Sequence, residues 1–242
     1  MKKTIEPLKI LVVLGFVSTF FSCNSDTKEK EDTTVAKADT TTSVQTKVEP
    51  VFTPFDILEI NHTVKDYTKW KAAFDADSAA RKASGLEFIV IGRGMDKPNN
   101  ISIAFEASDV QKAKTFVADP RLKEVMEKNG VISKPGINYY HVIRFNPDSK
   151  EKQWVLITHK VKDFDTWLKV FDNEGTVSRA GKGLIDVVLA RGIDDPNIVQ
   201  IVFDINDLAK AKARINDPAL KKLMTDAGVI GVPKIEFYTT AD

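Results

Sequence analysis

The sequence has little cysteine and little histidine. It contains one cysteine and three histidines in 242 residues, too few for a cysteine-rich zinc site or a disulfide framework. The histidines lie in separate segments, and the carboxylate nearest to His62 is Glu59, an odd number of positions away. Alternation along a strand sends these two side chains to opposite faces. The sequence therefore predicts no metal site.

The sequence also lacks an excess of charge and the common nucleotide-binding motifs. Lys and Arg total 35 against 34 Asp and Glu, so nothing favours a nucleic acid partner. It has no P-loop, dinucleotide fingerprint or nucleophile elbow. No apolar run reaches the ~20 residues of a transmembrane helix.

Residues 1–22 have the pattern of a signal peptide. Three lysines lie among the first nine residues, and Ile10–Phe21 is a mostly apolar run that stops at Ser22-Cys23. The run has the length of a signal-peptide core. Its end resembles the lipobox of bacterial lipoproteins, in which a small residue precedes the cysteine. The phenylalanines before Ser22 depart from the commoner Leu-Ala/Ser choice.

This resemblance implies that Cys23 is acylated and becomes the mature N-terminus. The lipid bilayer is then a partner, and the protein belongs to the bacterial cell envelope. Asn24 stands where aspartate signals inner-membrane retention in some bacteria, which favours the outer membrane. The alternative is a cleaved secretory peptide with an incidental cysteine. Residues 23–53 are predicted to be an acylated cysteine and a disordered tether, because they are rich in Thr, Lys, Asp and Glu without apolar periodicity.

One segment occurs twice in the rest of the chain. HTVKDYTKWKAAFD at residues 62–75 returns as HKVKDFDTWLKVFD at residues 159–172. The similarity continues after a one-residue insertion, and DPRLKEVMEKNGVISKPGI matches DPALKKLMTDAGVIGVPKI. Such self-similarity predicts two copies of one structural unit. The units span residues 54–147 and 152–242 and are joined by the polar segment NPDSKEK.

Each unit has the predicted order βαββαβ. In the first unit, alternating apolar residues predict strands at 57–63, 88–91, 101–105 and 137–145. The first helix begins at the cap Asp66, and the second is interrupted by Pro120. Trp70 and its counterpart Trp167 lie on the apolar stripe of the first helix, and we expect both in the core.

This order predicts an α+β fold in which each unit is a ferredoxin-like antiparallel sheet with both helices on one face. The other face keeps apolar residues. Exposing ~600 Å² of apolar surface would forfeit up to ~15 kcal/mol at ~25 cal/mol per Å². We therefore predict that the two units pack sheet to sheet as a pseudo-dimeric α/β barrel within a monomeric chain.

The opening H-x-VKD-(Y/F)-xx-W-xxx-FD of each unit resembles the dimeric α/β-barrel superfamily, which contains the antibiotic biosynthesis monooxygenase-like proteins. The resemblance covers about residues 55–145 and 153–240 and implies the barrel fold. It does not imply one activity, since the superfamily includes oxygenases, isomerases and haem-handling proteins.

The haem-degrading branch of this superfamily uses an Asn, a Trp and a helix His as iron ligand. Asn61 and Trp70 fit that pattern, but the second helix of each unit has no histidine, so no cofactor is expected.

Strand alternation also selects residues for the barrel interior. Those predicted to line a small-molecule site are Ile57, Ile89, Ile91, Trp154, Leu156 and Leu189. They would accept an apolar or aromatic ligand. Arg93 and Arg191 are predicted at the end of the same interior face, where each holds a carboxylate or enolate oxygen, or else closes the barrel against an acidic side chain.

His62 and His159 are the candidate catalytic residues. Alternation places both on the face under the helices, so each is either a structural histidine, hydrogen-bonded near the strand end, or a general base at the barrel mouth.

The sequence leaves three functions open. The first is a small-molecule binding module, favoured because both units keep the same candidate residues. The second is a cofactor-independent monooxygenase- or isomerase-like enzyme. The third is a structural or interaction protein with a filled barrel.

Overall fold

The structure is a computed structural model that describes residues 52–148 and 150–241. The signal peptide at 1–22, Cys23 and most of the tether lie outside the described residues, so what the sequence predicts for them stays a prediction. Within residues 52–148 and 150–241, no helix has the length and apolar character needed to cross a membrane.

Both units follow the predicted βαββαβ order, with each predicted helix divided in two. The first unit contains β1 (Phe55–Thr63), α1 (Tyr67–Ala76), α2 (Ser78–Ala83), β2 (Leu86–Gly94), β3 (Asn100–Ala107), α3 (Val110–Ala118), α4 (Pro120–Lys128) and β4 (Gly136–Phe145). The second contains β5 (Gln153–Val161), α5 (Phe164–Glu174), α6 (Thr176–Gly181), β6 (Leu184–Gly192), β7 (Ile198–Ile205), α7 (Leu208–Ile215), α8 (Pro218–Asp226) and β8 (Val229–Thr240).

Side-chain caps set the helix boundaries. The carboxylate of Asp66 accepts a hydrogen bond from the backbone N–H of Lys69 at 3.1 Å, and Asp163 caps α5 in the same way. Asp119 caps α4, and Pro120 occupies the first helical position, where its missing N–H costs no hydrogen bond. Pro120 therefore ends one helix and starts the next, as predicted.

The strands close into a single antiparallel barrel in the order β1-β3-β2-β8-β5-β7-β6-β4. The two units meet through hydrogen-bonded strand pairs, β2 with β8 and β4 with β6. The predicted α+β class and the pseudo-dimeric α/β barrel are confirmed. The pairs between the units are short, Gly92–Gly94 with Tyr238–Thr240 and Tyr140–Phe145 with Val188–Gly192. The two sheets are therefore joined by backbone hydrogen bonds as well as by the packing of their inner faces.

The repeated motif builds the same stack of side chains in each unit. In the first unit, His62 lies 5.3 Å from Trp70, Trp70 stacks on Phe74 at 5.0 Å, and the Arg81 guanidinium lies 3.8 Å from the Phe74 ring centre. His159, Trp167, Phe171 and Arg179 repeat it at 5.3, 5.1 and 4.0 Å. Both tryptophans are buried in the helix–sheet core as predicted. The motif recurs because each unit docks its first helices on its own sheet in this way.

A β-bulge in β2 and another in β6 reverse the predicted alternation. Phe88 pairs with Phe105, but Val90 pairs with the next residue, Ala104, so Ile89 is the extra residue. Val187 is the extra residue in β6. From each bulge onward, every side chain changes face relative to a regular strand.

The prediction that Ile91, Leu189, Arg93 and Arg191 face the interior is therefore wrong. Ile91 packs in the core cluster of Trp70, and Leu189 in that of Trp167. The guanidinium of Arg93 lies 4.1 Å from the ring centre of Tyr67 on α1, and Arg191 lies 4.0 Å from that of Phe164 on α5. Each Nε also donates to a carbonyl of the following turn, at 2.9 and 3.0 Å. Both arginines therefore connect a helix, α1 or α5, to the outer face of the barrel.

Candidate functional site

The barrel interior contains a cavity of about 390 Å³. Ile57, Trp154 and Leu156 line it as predicted, and Ile89 reaches it from the bulge of β2. It opens beside Phe55 and Phe145, at the end of the barrel where β1 begins and β4 ends. Its walls are mostly apolar, which is typical of sites for small organic molecules. The barrel is therefore not packed solid.

A buried carboxyl group lies at the inner end of this cavity. Glu59 is only 3% exposed, and it sits four residues along β1 from Phe55, or roughly 13 Å at the usual strand rise. Its carboxylate accepts hydrogen bonds from Asn61 Nδ2 at 2.9 Å, Gln200 Nε2 at 2.7 Å and Ser102 Oγ at 3.4 Å. Burial raises the pKa of Glu59, and the hydrogen bonds from Asn61 and Gln200 offset part of that rise.

Two buried tyrosines occupy equivalent positions beside this carboxyl group. Burial raises the pKa of both Tyr140 and Tyr238, and the nearby charges of Glu59 and Glu236 raise it further. Both phenols are therefore protonated donors at neutral pH. Tyr238 also stacks on Trp154 with ring centres 4.6 Å apart.

The position of Trp154 depends on a glycine. A Cβ atom added to Gly92 would overlap the Trp154 indole and would lie 3.1 Å from Tyr238 Cβ. With no side chain at Gly92, the Trp154 indole packs directly beside it, and its Nε1 donates to Thr240 Oγ1 at 3.1 Å. Gly92 thus makes room for the indole, which forms part of the cavity wall.

The cavity is acidic. Glu106, Glu151 and Asp204 line it in addition to Glu59, and no Lys, Arg or His is among the described residues that do so. Glu106 and Glu151 form no ion pair with a described residue, and Asp204 accepts a hydrogen bond from the Glu151 backbone N–H at 3.1 Å. An anionic ligand would be repelled here.

The two units have diverged mainly in the barrel interior. On the helix side, Ile60, His62, Val64 and Phe105 recur as Ile157, His159, Val161 and Phe203. In the interior, Ile57, Glu59, Asn61 and Ser102 are replaced by Trp154, Leu156, Thr158 and Gln200. The interior is therefore one asymmetric site rather than two equal ones. This removes the argument that both units keep the same ligand-lining residues.

His62 and His159 face the helices, as alternation predicts, and away from the cavity. Small spaces of about 60 and 80 Å³ adjoin them. Burial lowers the pKa of each to about 4. Neither ring nitrogen of either histidine has a hydrogen-bond partner among the described residues, so the predicted hydrogen bond near the strand end is absent there. Both are neutral core residues, too far inside the helix layer to act at the barrel mouth.

Sequence reasoning missed Glu59 as a site residue. Strand alternation predicts only that Glu59 lies on the other face from His62, which is correct. The available signal was a lone carboxylate in an apolar strand, at a position where the other unit has Leu156. Among the described residues, no group of three or more His, Cys, Asp or Glu is placed to hold a metal ion.

Comparison with known proteins supports the fold. No protein-family model and no curated protein matches the chain. Several solved structures match the fold of the chain. A candidate monooxygenase of Lactobacillus acidophilus is 16% identical, with a TM-score of 0.51 over 77% of this chain and 94% of that one. One from Fusobacterium nucleatum is 12% identical, with a TM-score of 0.52 over 78% and 93%. An anthrone oxidase-like protein is 12% identical, with a TM-score of 0.51 over 78% and 92%. At these identities the similarity establishes the ferredoxin-like α/β barrel alone.

Proposed function

We propose that the barrel interior is the active site of a cofactor-independent enzyme of the monooxygenase or isomerase kind. It would act on a small, mostly apolar molecule, with Glu59 as the base. The observation that carries this proposal is the buried carboxyl of raised pKa at the inner end of an open apolar cavity. Perturbed carboxyl groups in such clefts are typical of acid–base sites. The monooxygenase and oxidase names of proteins with the same fold favour this class over binding alone.

In the proposed step, Glu59 takes a proton from an acidic C–H or O–H group of the substrate. The substrate keeps the electron pair as an enolate or phenolate. Gln200 Nε2 carries a second N–H, and the Ser102 hydroxyl lies beside it, so these groups would bind the developing oxyanion. Returning the proton at another carbon completes an isomerisation. In the oxygenase case, dioxygen is the co-substrate of the deprotonated molecule.

The acidic lining sets the charge of the ligand. Four carboxyl groups and no described Lys, Arg or His line the cavity, so the substrate would be neutral or carry a positive charge near the mouth. A series of 2-naphthalenemethanol, 2-naphthylmethylamine and 2-naphthoate keeps the ring system and changes the charge of its polar group. The alcohol and the amine should bind and the carboxylate should not. Equal binding of all three would contradict the electrostatic argument.

Hydrogen–deuterium exchange tests the proton step without knowledge of the natural substrate. 2-Tetralone is an enolisable two-ring ketone whose α-hydrogens exchange with D₂O, and NMR follows the exchange. Wild-type protein should accelerate it. Glu59→Gln should abolish the acceleration but keep 2-tetralone binding, and the exposed Glu127→Gln on α4 is the matched control. Acceleration that survives in Glu59→Gln would overturn the proposal.

A binding module without chemistry is the second candidate. The observation that favours it is that the Glu59 carboxylate already accepts three hydrogen bonds, as structural buried carboxylates do. In that case ligands of the naphthalene series bind, 2-tetralone exchange is not accelerated, and Glu59→Gln binds as well as wild type.

We also propose, from the sequence, that the protein is an envelope lipoprotein held in the bilayer through acylated Cys23. The support is the apolar run that stops at Ser22-Cys23 and the polar segment that follows.

A further inference from the structure

Arg81 and Arg179 are equivalent buried arginines with different surroundings. Arg81 lies on α2 and Arg179 on α6, and they are 8% and 3% exposed. Each guanidinium covers a phenylalanine ring at the end of the motif stack. A guanidinium has five N–H donors, and removing them from water without partners is unfavourable.

The guanidinium of Arg179 has hydrogen-bond partners. Its Nε donates to Asp186 Oδ1 at 2.8 Å and its Nη2 donates to Asp186 Oδ2 at 2.5 Å, a two-pronged arrangement that matches the planar carboxylate. Its Nη1 donates to the Phe171 carbonyl at 2.7 Å. The second unit thus supplies a carboxylate from β6 to satisfy this guanidinium.

Arg81 lacks this carboxylate. The position equivalent to Asp186 is Phe88, and the register shows the match, since Phe88 pairs with Phe105 as Asp186 pairs with Phe203. The Arg81 guanidinium donates no hydrogen bond to a described residue. Its one ion-pair partner there is Asp77 at 3.8 Å, beyond hydrogen-bond distance.

The surroundings of Arg81 would admit a small ligand. The guanidinium borders a space of about 60 Å³ that also reaches Phe74, Phe116 and Leu122. An open groove along α2, α3 and α4 shares Asp77, Phe116 and Leu122 with that space. A ligand entering from the groove would meet a charged group backed by apolar side chains.

We propose that Arg81 is a binding site for an external carboxylate. The ligand class is a short-chain carboxylic acid anion, whose two oxygens accept hydrogen bonds from the Arg81 guanidinium, as Asp186 does from Arg179 in the second unit, and whose few carbons enter the apolar space. This site is on the outside of the barrel and is independent of the proposed active site.

The test measures binding of sodium propionate, with sodium chloride at equal ionic strength as the reference. Calorimetry and the midpoint of thermal unfolding should show saturable propionate binding to the wild type. Phe88→Asp rebuilds the carboxylate of the second unit, so it should raise the unfolding midpoint without propionate and weaken propionate binding at least about tenfold. Arg81→Gln should also abolish binding.

The second unit provides the reverse experiment. Asp186→Ala removes the carboxylate from Arg179, so this variant should unfold at a lower temperature and regain part of the loss in propionate. Wild-type protein that responds equally to propionate and chloride would overturn the proposal. So would propionate binding that persists in both Phe88→Asp and Arg81→Gln, since the anion would then bind elsewhere. The two variants differ in chemistry, so a folding failure in one leaves the other to decide.

Discussion

Gln200 of the second unit donates a 2.7 Å hydrogen bond to Glu59 of the first, across the interior of the barrel. In the unit-to-unit alignment, Leu156 stands at the position of Glu59 and Ser102 at that of Gln200. The polar centre is therefore assembled from one copy of each unit and could not form twice. Fusion of the two units in one chain permits this asymmetry, whereas a symmetric dimer would place two carboxylates in the same interior.

Stability should reflect the raised pKa of Glu59. A carboxyl group whose pKa is higher in the folded than in the unfolded state stabilises the fold fully at low pH. That contribution is lost as the pH rises through the folded pKa. Glu59→Gln keeps a neutral hydrogen-bonding group at every pH. Its free energy of unfolding should therefore increase relative to that of the wild type between pH 4.5 and neutrality. Urea unfolding at a series of pH values measures this, with Glu127→Gln as control. A difference that does not change with pH would contradict it.

The buried histidines should act in the opposite direction. Their pKa is lowered by burial to about 4, so the folded protein binds fewer protons than the unfolded chain between pH 4 and 6.5. Stability should fall as the pH drops through that window, by on the order of 3 kcal/mol per histidine at most. His62→Leu should remove part of this acid sensitivity without loss at pH 7. An unchanged acid profile in His62→Leu would count against the assignment.

The helix side of this fold could be predicted from sequence, and the interior only in part. Trp70 and His62 were placed correctly because the helical spacing and the alternation of β1 are regular. Ile91 and Arg93 were not, because FIVIGRG is apolar almost throughout and carries no mark of an extra residue at Ile89. Glu59 is not indicated by the repeat, because the cavity is lined largely by residues that the two units do not share.

Gly92 should be intolerant of a side chain. A Cβ atom there overlaps the Trp154 indole, so Gly92→Ala should cost about 1–3 kcal/mol and displace Trp154 into the cavity. Binding of 2-naphthalenemethanol should weaken with it. Gly181→Ala, where a Cβ meets nothing within 4 Å, should stay within about 0.5 kcal/mol of wild type. Equal stabilities of the two variants would mean that Trp154 does not pack against Gly92.

Lipid attachment should depend on the single cysteine. Cells that express the full-length chain and are fed radioactive palmitate should label the wild-type protein and leave Cys23→Ala unlabelled. Fractionation should then move the variant out of the membrane pellet. Ser22→Ala retains a small residue before the cysteine and serves as the control. Equal labelling of Cys23→Ala and wild type would refute acylation at this position.

A single unit should not survive as a monomer. In the whole chain, β2 pairs with β8 and β4 pairs with β6, so residues 55–147 alone expose two strand edges and the apolar inner face that Ile57 and Val142 belong to. Unpaired edges and apolar surface both favour association. Light scattering should find a homodimer or aggregates.

The homodimer would face two copies of Glu59 towards one interior, and it should be less stable at pH 7 than at pH 5, because two like charges there repel. Glu59→Leu in the isolated unit places at position 59 the residue that the second unit has at 156, and it should restore stability at pH 7. A well-folded monomer would show that closure of the barrel is not what holds each unit together.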